Sequence, residues 1–242
     1  MRAKVKCKRL KSVEGLDIPL VNGEDGKILL SVQSPYQQIE IIRWGKKGPK
    51  ALLLDGEVQY IEGKPTVEYH WKHLKILRHC PYAKRVAIIG GGDGILAGMI
   101  AKKYPHIRVY VFELDPCMVH IYKHYETRVN HNAFNRENVK VIIGDAFKNL
   151  LKFPDEYFDT IFVDLPDAYP DKEDLYSEKK INTILKKVKV GGCISFYTGG
   201  IPSMVFLNLL PRCVTLIKVE RAVGFFGGIG EIAHLRKVDN CK

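Results

Sequence analysis

The sequence predicts an α/β protein in which a small β-rich unit precedes a doubly wound, largely parallel sheet. Two observations predict the sheet: from residue 85 on, short apolar runs alternate with helical patterns, and successive runs end next to an acidic residue. A third predicts the β-rich unit, because the first part of the chain contains short extended runs separated by turn formers. We therefore predict an N-terminal β-hairpin/β-sheet domain over residues 1–62 and an α/β domain over residues 63–242.

The N-terminal unit is predicted to contain four short strands, over residues 27–32, 38–42, 51–54 and 58–61. Asp55-Gly56 separates the last two, and an aspartate-glycine pair between extended runs is typical of a tight β-hairpin. Lys64-Pro65 marks the domain boundary. A helix is predicted to follow over residues 66–79, with Thr66 as its N-cap.

The stretch from Val86 to Gly94, VAIIGGGDG, predicts a buried strand, a tight turn and a helix N-terminus in succession. The next three apolar runs are predicted to be further parallel strands, and they deliver Glu113, Asp145 and Asp164 at their ends. In an open α/β sheet, ligands bind beyond the carboxyl ends of the strands. These acids are therefore candidate ligand contacts.

The last part of the chain is predicted to close the sheet. A helical pattern over residues 182–188 leads through Gly191-Gly192 into a strand over residues 194–197. Two further runs, over residues 215–220 and 232–235, are predicted to form an antiparallel pair.

Composition limits the class of protein. A chain of 242 residues holds one ordinary α/β domain and a small additional unit, and no apolar run reaches the ~18 residues of a membrane span. The N-terminus, MRAKVKCKRLKS, is basic without an apolar segment behind it, so no signal peptide is expected. The six cysteines show no paired CxxC spacing, so we expect reduced thiols in a cytoplasmic protein and no metal site.

The net charge of +11 raises the question of nucleic-acid binding. The charge is unevenly distributed, however, since residues 1–12 carry six Lys/Arg and no acid, whereas residues 145–178 carry ten acids and three lysines. We expect the basic N-terminus to be a solvated tail, and a nucleic-acid partner or a membrane partner is not expected. The acidic segment is therefore of greater chemical interest than the basic terminus.

The type of ligand follows from the glycine-rich turn. A dinucleotide site calls for G-x-G-x-x-G, but after Gly90 and Gly92 the third glycine is missing, and the Asp93 carboxylate would repel a pyrophosphate. A Rossmann-like, methyltransferase-type nucleoside site fits better. There Glu113 can accept hydrogen bonds from both ribose hydroxyls and Asp145 can accept one from the adenine amino group. Asp93 would then bind the amine end of the ligand.

The motifs IIGGGDG, Glu113-Leu114-Asp115, Gly144-Asp145-Ala146 and FDTIFVDLPD resemble those of the spermidine synthase (polyamine aminopropyltransferase) family. The N-terminal unit agrees, because SPYQ, LDGEVQ and the pair Tyr69-His70 resemble segments of that family. The resemblance implies a homodimer without a prosthetic group that uses decarboxylated S-adenosylmethionine as a co-substrate. It also implies site residues by their roles: donor binding by Gln37, Gly90, Asp93, Glu113, Asp145 and Ala146; catalysis by Asp164; acceptor binding by Tyr69, His70 and Asp167.

The chemistry is consistent with these roles. Aminopropyl transfer displaces a sulfonium with an amine that must be neutral, yet alkyl amines have a pKa of roughly 10 and arrive protonated. A carboxylate such as Asp164 can bind the ammonium and accept its proton. Two alternatives from other classes remain: an S-adenosylmethionine-dependent methyltransferase acting on a small amine or RNA, and a non-catalytic binding homologue.

The chain departs from the family pattern mainly in the half of the site expected to bind the acceptor. The family usually carries acidic residues around the Tyr-His pair, and here other residues replace them. This chain also has DLPD where the family more commonly has DSSDP. A late tyrosine of the family is also absent. The positions concerned are Pro65, Thr66, Trp71, Phe225 and Phe226. The resemblance therefore leaves open which amine is the acceptor.

Overall fold

A computed structural model describes residues 7–9, 26–166, 173–198, 200–223 and 229–240. The first sheet has five strands, which lie in space in their order along the chain and pair antiparallel throughout. They are β1 Lys8–Arg9, β2 Gly26–Gln33, β3 Gln38–Trp44, β4 Lys50–Leu54 and β5 Glu57–Ile61. The four strands predicted in this region are confirmed.

The turn between β4 and β5 is the predicted tight hairpin. Leu54 pairs with Glu57, and the two residues between them, Asp55 and Gly56, have φ values of 50° and 83°. Both central residues of a type I′ turn need positive φ, which aspartate tolerates and glycine adopts freely. The local sequence therefore fixes this connection.

Helix α1, Lys64–Leu74, leads into the second domain and continues as a 3₁₀ turn, Lys75–Arg78. The predicted helix is confirmed, but Thr66 as its N-cap is wrong, because Gly63 holds that position. Proline is tolerated in the first turn, so the helix begins before the proline and not after it. The Thr66 hydroxyl instead donates to the carbonyl oxygen of Ile61, at 2.6 Å.

The second sheet has seven strands, in the order β11-β12-β10-β9-β6-β7-β8. The chain passes through β6 Arg85–Gly90, α2 Ile95–Lys103, β7 Arg108–Glu113, α3 Pro116–His124, β8 Val139–Ile143, α4 Ala146–Leu150 and β9 Phe158–Asp164. It continues with α5 Glu178–Lys187, β10 Val188–Tyr197, α6 Ser203–Leu207, β11 Val214–Val223 and β12 Ile229–Lys237. β6 to β10 are parallel, while β11 and β12 form the predicted antiparallel pair. The α/β doubly wound fold is confirmed.

The strand order reverses between β6 and β9. From β6 the chain builds outward through β7 and β8, and then it returns to place β9 on the other side of β6. Gly90 at the end of β6 pairs in register with Asp164 at the end of β9. This is the topological switch point, where open α/β sheets bind their ligands.

The two sheets share one apolar core. Ile39, Ile41 and Leu52 of the first sheet belong to the same buried cluster as Ile88 and Val111 of the second. Polar contacts reinforce the junction: Lys50 forms an ion pair with Glu126 at 2.7 Å, and the hydroxyls of Tyr60 and Tyr122 lie 2.7 Å apart. The first sheet is thereby held against α3, close to the switch point. No helix in the described part of the chain is long and apolar enough to cross a bilayer.

The expectation of reduced thiols is wrong. Cys7 is bonded to Cys117, Cys80 is bonded to Cys193, and Cys213 is disulfide-bonded as well. The partners of the first two bonds lie 110 and 113 residues apart in sequence, so no local spacing could reveal them. Disulfides are typical of oxidising compartments and also of intracellular proteins from hyperthermophiles. Scattered cysteines therefore do not by themselves indicate the compartment.

Candidate functional site

The glycine-rich turn after β6 brings the backbone close to two acidic side chains. Gly90, with φ at 85°, leaves no room for a side chain, because an added Cβ would lie 2.0 Å from the backbone oxygen of Asp164. A Cβ on Gly92 would lie 2.5 Å from Oε2 of Glu113. Gly90 is therefore required both for its positive φ and for close approach, whereas at Gly92 a side chain would displace the Glu113 carboxylate. The turn lies beside the strand-end acids at the switch point, where open α/β sheets form their ligand-binding crevice.

Asp93 lies in this turn, one residue before Gly94, which is the N-cap of α2. Its Oδ1 accepts a hydrogen bond from the backbone N–H of Ile95 at 2.8 Å, and its backbone oxygen accepts one from the Asn130 amide at 3.1 Å. Burial raises the pKa of the Asp93 carboxyl, the nearby charge of Asp164 raises it further, and His70 opposes both effects. A cationic ligand would relieve this cost, since it would stabilise the ionised form.

Glu113 ends β7 and faces the same turn. Its Oε1 accepts from the backbone N–H of Asp115 at 2.7 Å. Burial raises the pKa of Glu113 to about 7, and the charges of Asp115 and Asp93 add to that effect. The carboxyl therefore changes protonation near neutral pH, and ligand hydroxyls would favour the ionised form.

Asp115 belongs to a motif quoted above, but the sequence analysis assigned it no role in the site. It is buried, and it caps α3 by accepting from the backbone N–H of Cys117 at 2.8 Å. Its Oδ2 accepts from the side-chain amide of Gln37 at 3.1 Å, while the Ser34 hydroxyl fixes the Gln37 backbone N–H at 3.0 Å. Gln37 therefore reaches the crevice from the first sheet. The signal was present, because aspartate before proline marks a helix N-terminus.

Asp145 follows β8 and caps α4, with Oδ1 accepting from the backbone N–H groups of Phe147 and Lys148 at 2.9 and 3.1 Å. Ala146 is the first residue of this helix. The backbone N–H of Gly144 donates to the carbonyl oxygen of Glu113 at 2.8 Å, which ties the ends of β7 and β8 together. The structure thus places Asp145 beside Glu113, as the strand-end pattern predicts.

Asp164 is held by a tyrosine from α1. The Tyr69 hydroxyl donates to Asp164 Oδ1 at 2.6 Å. Burial raises the pKa of Tyr69 well above its ordinary value, and the adjacent Asp164 charge raises it further, so the phenol keeps its proton. Within the described ranges no residue donates to Oδ2, and a Cβ on Gly91 would lie 3.7 Å from that oxygen. Asp164 therefore has one oxygen engaged and the other beside the glycine-rich turn.

Two other predicted residues have different surroundings. His70 is buried, its Nδ1 lies 2.7 Å from the backbone oxygen of Thr66, and its ring packs edge-on against Tyr69. Its influence on the site is electrostatic, through Asp93. Trp71 points away from the crevice into solvent, with the Lys103 ammonium 4.3 Å from its ring centre. Asp167, Phe225 and Phe226 lie outside the described residues.

The site is rich in acidic side chains, and among the described residues no lysine or arginine forms an ion pair with them. Asp93, Glu113, Asp145 and Asp164 lie at the carboxyl ends of neighbouring strands. Nowhere in the described ranges does a group of three or more His, Cys, Asp or Glu side chains lie close enough together to hold a metal ion. Unpaired carboxylates in a partly buried crevice favour an organic cation.

Comparison with known proteins identifies the family. Residues 71–204 match the family model of the spermine/spermidine synthase domain. A polyamine aminopropyltransferase of Thermococcus onnurineus is 30% identical over 200 residues, which cover 82% of this chain and 69% of that protein. Polyamine aminopropyltransferase 2 of Aquifex aeolicus is 33% identical over 202 residues, which cover 80% of this chain and 38% of that protein. The chain spans about a third of the length of the first curated relatives that it matches.

Solved structures agree on the fold. A spermidine synthase in complex with the transition state analogue AdoDATO superposes with a TM-score of 0.75 at 21% identity, over 88% of this chain and 74% of that one. The spermidine synthase of Thermotoga maritima gives 0.72 at 22% identity over the same shares. At 21–22% identity these structures show only that the fold is shared. The family is shown by the sequence matches, that is, by the domain model and the Thermococcus relative. The chain belongs to the spermine/spermidine synthase family.

Proposed function

We propose that this protein is a polyamine aminopropyltransferase, which moves an aminopropyl group from decarboxylated S-adenosylmethionine to a diamine such as putrescine. The observation that carries the proposal is the row of carboxylates without Lys or Arg ion pairs at the switch point, in which Asp164 on β9 lies next to the glycine-rich turn after β6. Both substrates are cations there, since the donor carries a sulfonium and an ammonium and the acceptor carries two ammonium groups. Membership of the family and the names of its relatives support the same activity.

The donor is proposed to bind along the glycine-rich turn. Gly90 packs closely against the backbone of Asp164 at the start of this turn. Glu113 is proposed to accept hydrogen bonds from the ribose hydroxyls. Asp145 and Ala146, at the start of α4, bind the adenine. Asp93 binds the terminal ammonium through the carboxylate oxygen that does not accept from the first backbone N–H of α2. Gln37, anchored on Asp115, covers the donor from the side of the first sheet.

The acceptor is proposed to bind between Asp164 and Asp167, beside Tyr69 and His70. Because Tyr69 occupies Oδ1 of Asp164, Oδ2 is the oxygen available to the incoming ammonium. The ammonium proton passes to that carboxylate, and the freed lone pair attacks the aminopropyl carbon next to the sulfonium. The carbon–sulfur bond breaks, and its electrons return to sulfur as a neutral thioether. Asp167 stabilises the ammonium and orients the amine.

Donor selectivity tests the proposal. A donor that keeps its carboxylate would bring a like charge towards Asp93, so decarboxylated S-adenosylmethionine should bind at least ~10-fold more tightly than S-adenosylmethionine, or by about 1.4 kcal/mol. Isothermal titration calorimetry measures both affinities. Asp93→Asn is the matched control, because it keeps the shape of the side chain and should remove the preference. Equal affinities in the parent protein would contradict the donor assignment.

A second candidate function is methyl transfer from S-adenosylmethionine to a small amine. One observation favours it: putrescine N-methyltransferase 2 of Nicotiana attenuata is 31% identical over 172 residues, which cover 69% of this chain and 45% of that protein. The two reactions could use the same acceptor site, so they differ in the donor. Tighter binding of S-adenosylmethionine, with a methylated amine as product, would favour this candidate.

A further inference from the structure

Helix α1 carries a second buried histidine, His73, which no sequence motif indicates. Its side chain is fully buried between α1 and the sheet. Nδ1 lies 2.8 Å from the hydroxyl of Ser195 on β10, and Nε2 lies 3.2 Å from the hydroxyl of Tyr69, one turn earlier on the helix. Both ring nitrogens therefore have partners. One of those partners is the tyrosine that holds Asp164.

The four side chains form an unbroken series of hydrogen bonds from Ser195 through His73 and Tyr69 to Asp164. The carboxylate fixes the direction of every bond, because an ionised carboxyl group can only accept. Tyr69 must then donate to Asp164, so its oxygen accepts from Nε2–H of His73. Nδ1 of the neutral ring is left to accept from the Ser195 hydroxyl.

The surroundings of His73 keep its ring neutral. Burial lowers the pKa of His73 well below its ordinary value, and the nearby rings of His70 and His234 lower it further. His70 lies on the same helix, and His234 on β12 pairs in register with Ser195. Phe162 on β9, with its ring centre 6.3 Å away, adds no charge. A neutral ring with one donor and one acceptor nitrogen suits the two bonds that His73 makes.

We propose that His73 is a positioning residue for Asp164 and acts through the Tyr69 hydroxyl, while the Ser195 hydroxyl donates to Nδ1 of its ring. The proposal rests on the proposed function, in which Asp164 is the base. Without the Nε2–H donor, the Tyr69 hydroxyl is free to turn away from Oδ1. The carboxylate then loses the contact that leaves Oδ2 facing the amine. Partners behind a reacting group fix its orientation in this way.

Two variants of His73 separate the roles of its two nitrogens. His73→Gln places an amide nitrogen near the position of Nε2 and keeps a donor for Tyr69, whereas His73→Asn reaches only the position of Nδ1. With saturating donor and diamine, His73→Asn should lower kcat at least ~10-fold and His73→Gln should restore most of it. Equal losses in two folded variants would overturn the proposal.

A double-mutant cycle tests whether His73 acts through Tyr69. In a Tyr69→Phe background, His73→Asn should cause almost no further loss of kcat, because the hydroxyl that transmits the effect is gone. Multiplicative losses would show that His73 acts independently and would overturn the proposal. Thr160→Val is the control, since it removes a buried hydroxyl of β9 that has no hydrogen-bond partner among the described residues and takes no part in this series; it should not lower kcat.

A measurement without turnover keeps this test separate from the proposed function. If the folded parent protein forms no aminopropylated product, the proposed function is contradicted. The tautomer of His73 still tests the series of hydrogen bonds, because it can be measured without turnover. Nitrogen-15 NMR should show a neutral His73 ring with its proton on Nε2 at pH 7. It should also show a perturbed ring signal in Ser195→Ala. A proton on Nδ1, or a charged ring, would overturn the proposal whatever the activity.

Discussion

Replacing Glu113 by glutamine should make the protein more stable above pH 7 and a poorer binder of the donor. Burial raises the pKa of Glu113 from 4.5 to about 7, so ionising this carboxyl costs free energy in the folded state. At about 1.36 kcal/mol for each pKa unit, this cost is roughly 3 kcal/mol. The glutamine side chain would carry no charge, and it keeps an oxygen that can accept from the backbone N–H of Asp115.

The sign of the pH dependence follows from the two protonation states. Below pH 4.5 the carboxyl of Glu113 is protonated in both the folded and the unfolded chain, so it contributes no difference. Between pH 4.5 and about 7 only the folded state holds the proton, and this contribution to stability falls as the pH rises. Above pH 7 the full cost applies. The stability of Glu113→Gln relative to the parent should therefore increase steadily between pH 4.5 and about 7.

Donor binding should change in the opposite direction. Hydrogen bonds from two ribose hydroxyls to a carboxylate contribute about 1.5–3 kcal/mol each, and Glu113→Gln weakens both. In the parent, affinity for decarboxylated S-adenosylmethionine should rise as the pH passes through about 7, with release of a proton on binding at lower pH. Thermal unfolding and calorimetry at pH 6 and pH 8.5 measure both effects. A variant that is less stable at pH 8.5 but keeps full donor affinity would refute the reasoning.

Three further predictions concern catalysis, the turn and the covalent links. Asp164→Asn should lower kcat by ~10²–10⁴-fold in steady-state assays, and a rate near that of the parent would exclude Asp164 as the base. Gly92→Ala places a Cβ 2.5 Å from Oε2 of Glu113, so calorimetry should show a loss of donor affinity; unchanged affinity would mean that the carboxylate can move aside. Cys80→Ser removes the disulfide bond to Cys193, which joins residues 113 positions apart in the sequence. Urea unfolding should show that the free energy of unfolding falls by about 2–5 kcal/mol. An unchanged free energy of unfolding would contradict a stabilising contribution from this bond.

The sheet and its acidic edge were predictable because both depend on short-range patterns. The run VAIIG and the later apolar runs specify buried parallel strands by length and residue type. Once the strands are parallel, the residues that follow them meet at one edge. The structure accordingly brings Asp93, Glu113 and Asp164 close enough for their charges to interact. The roles of these residues remain part of the proposed function.

The features that were missed depend on distant contacts. The disulfides of Cys117 and Cys193 join residues that only the folded sheet brings together. His73 occupies an inward position of an amphipathic helix, where periodicity predicts an apolar residue, and only the position of Ser195 on β10 explains its burial. The predicted N-cap of α1 was wrong for a local reason, because a proline can mark either the end of a loop or the first turn of a helix.

The central claim is tested most directly by identifying the products. The protein is incubated with decarboxylated S-adenosylmethionine and putrescine, and the mixture is analysed by mass spectrometry, with Asp164→Asn as the control. The account predicts putrescine lengthened by one aminopropyl group, together with an equal amount of 5′-methylthioadenosine, and much less of both from the variant. Methylated putrescine formed from S-adenosylmethionine, with no aminopropylated product from the decarboxylated donor, would contradict it.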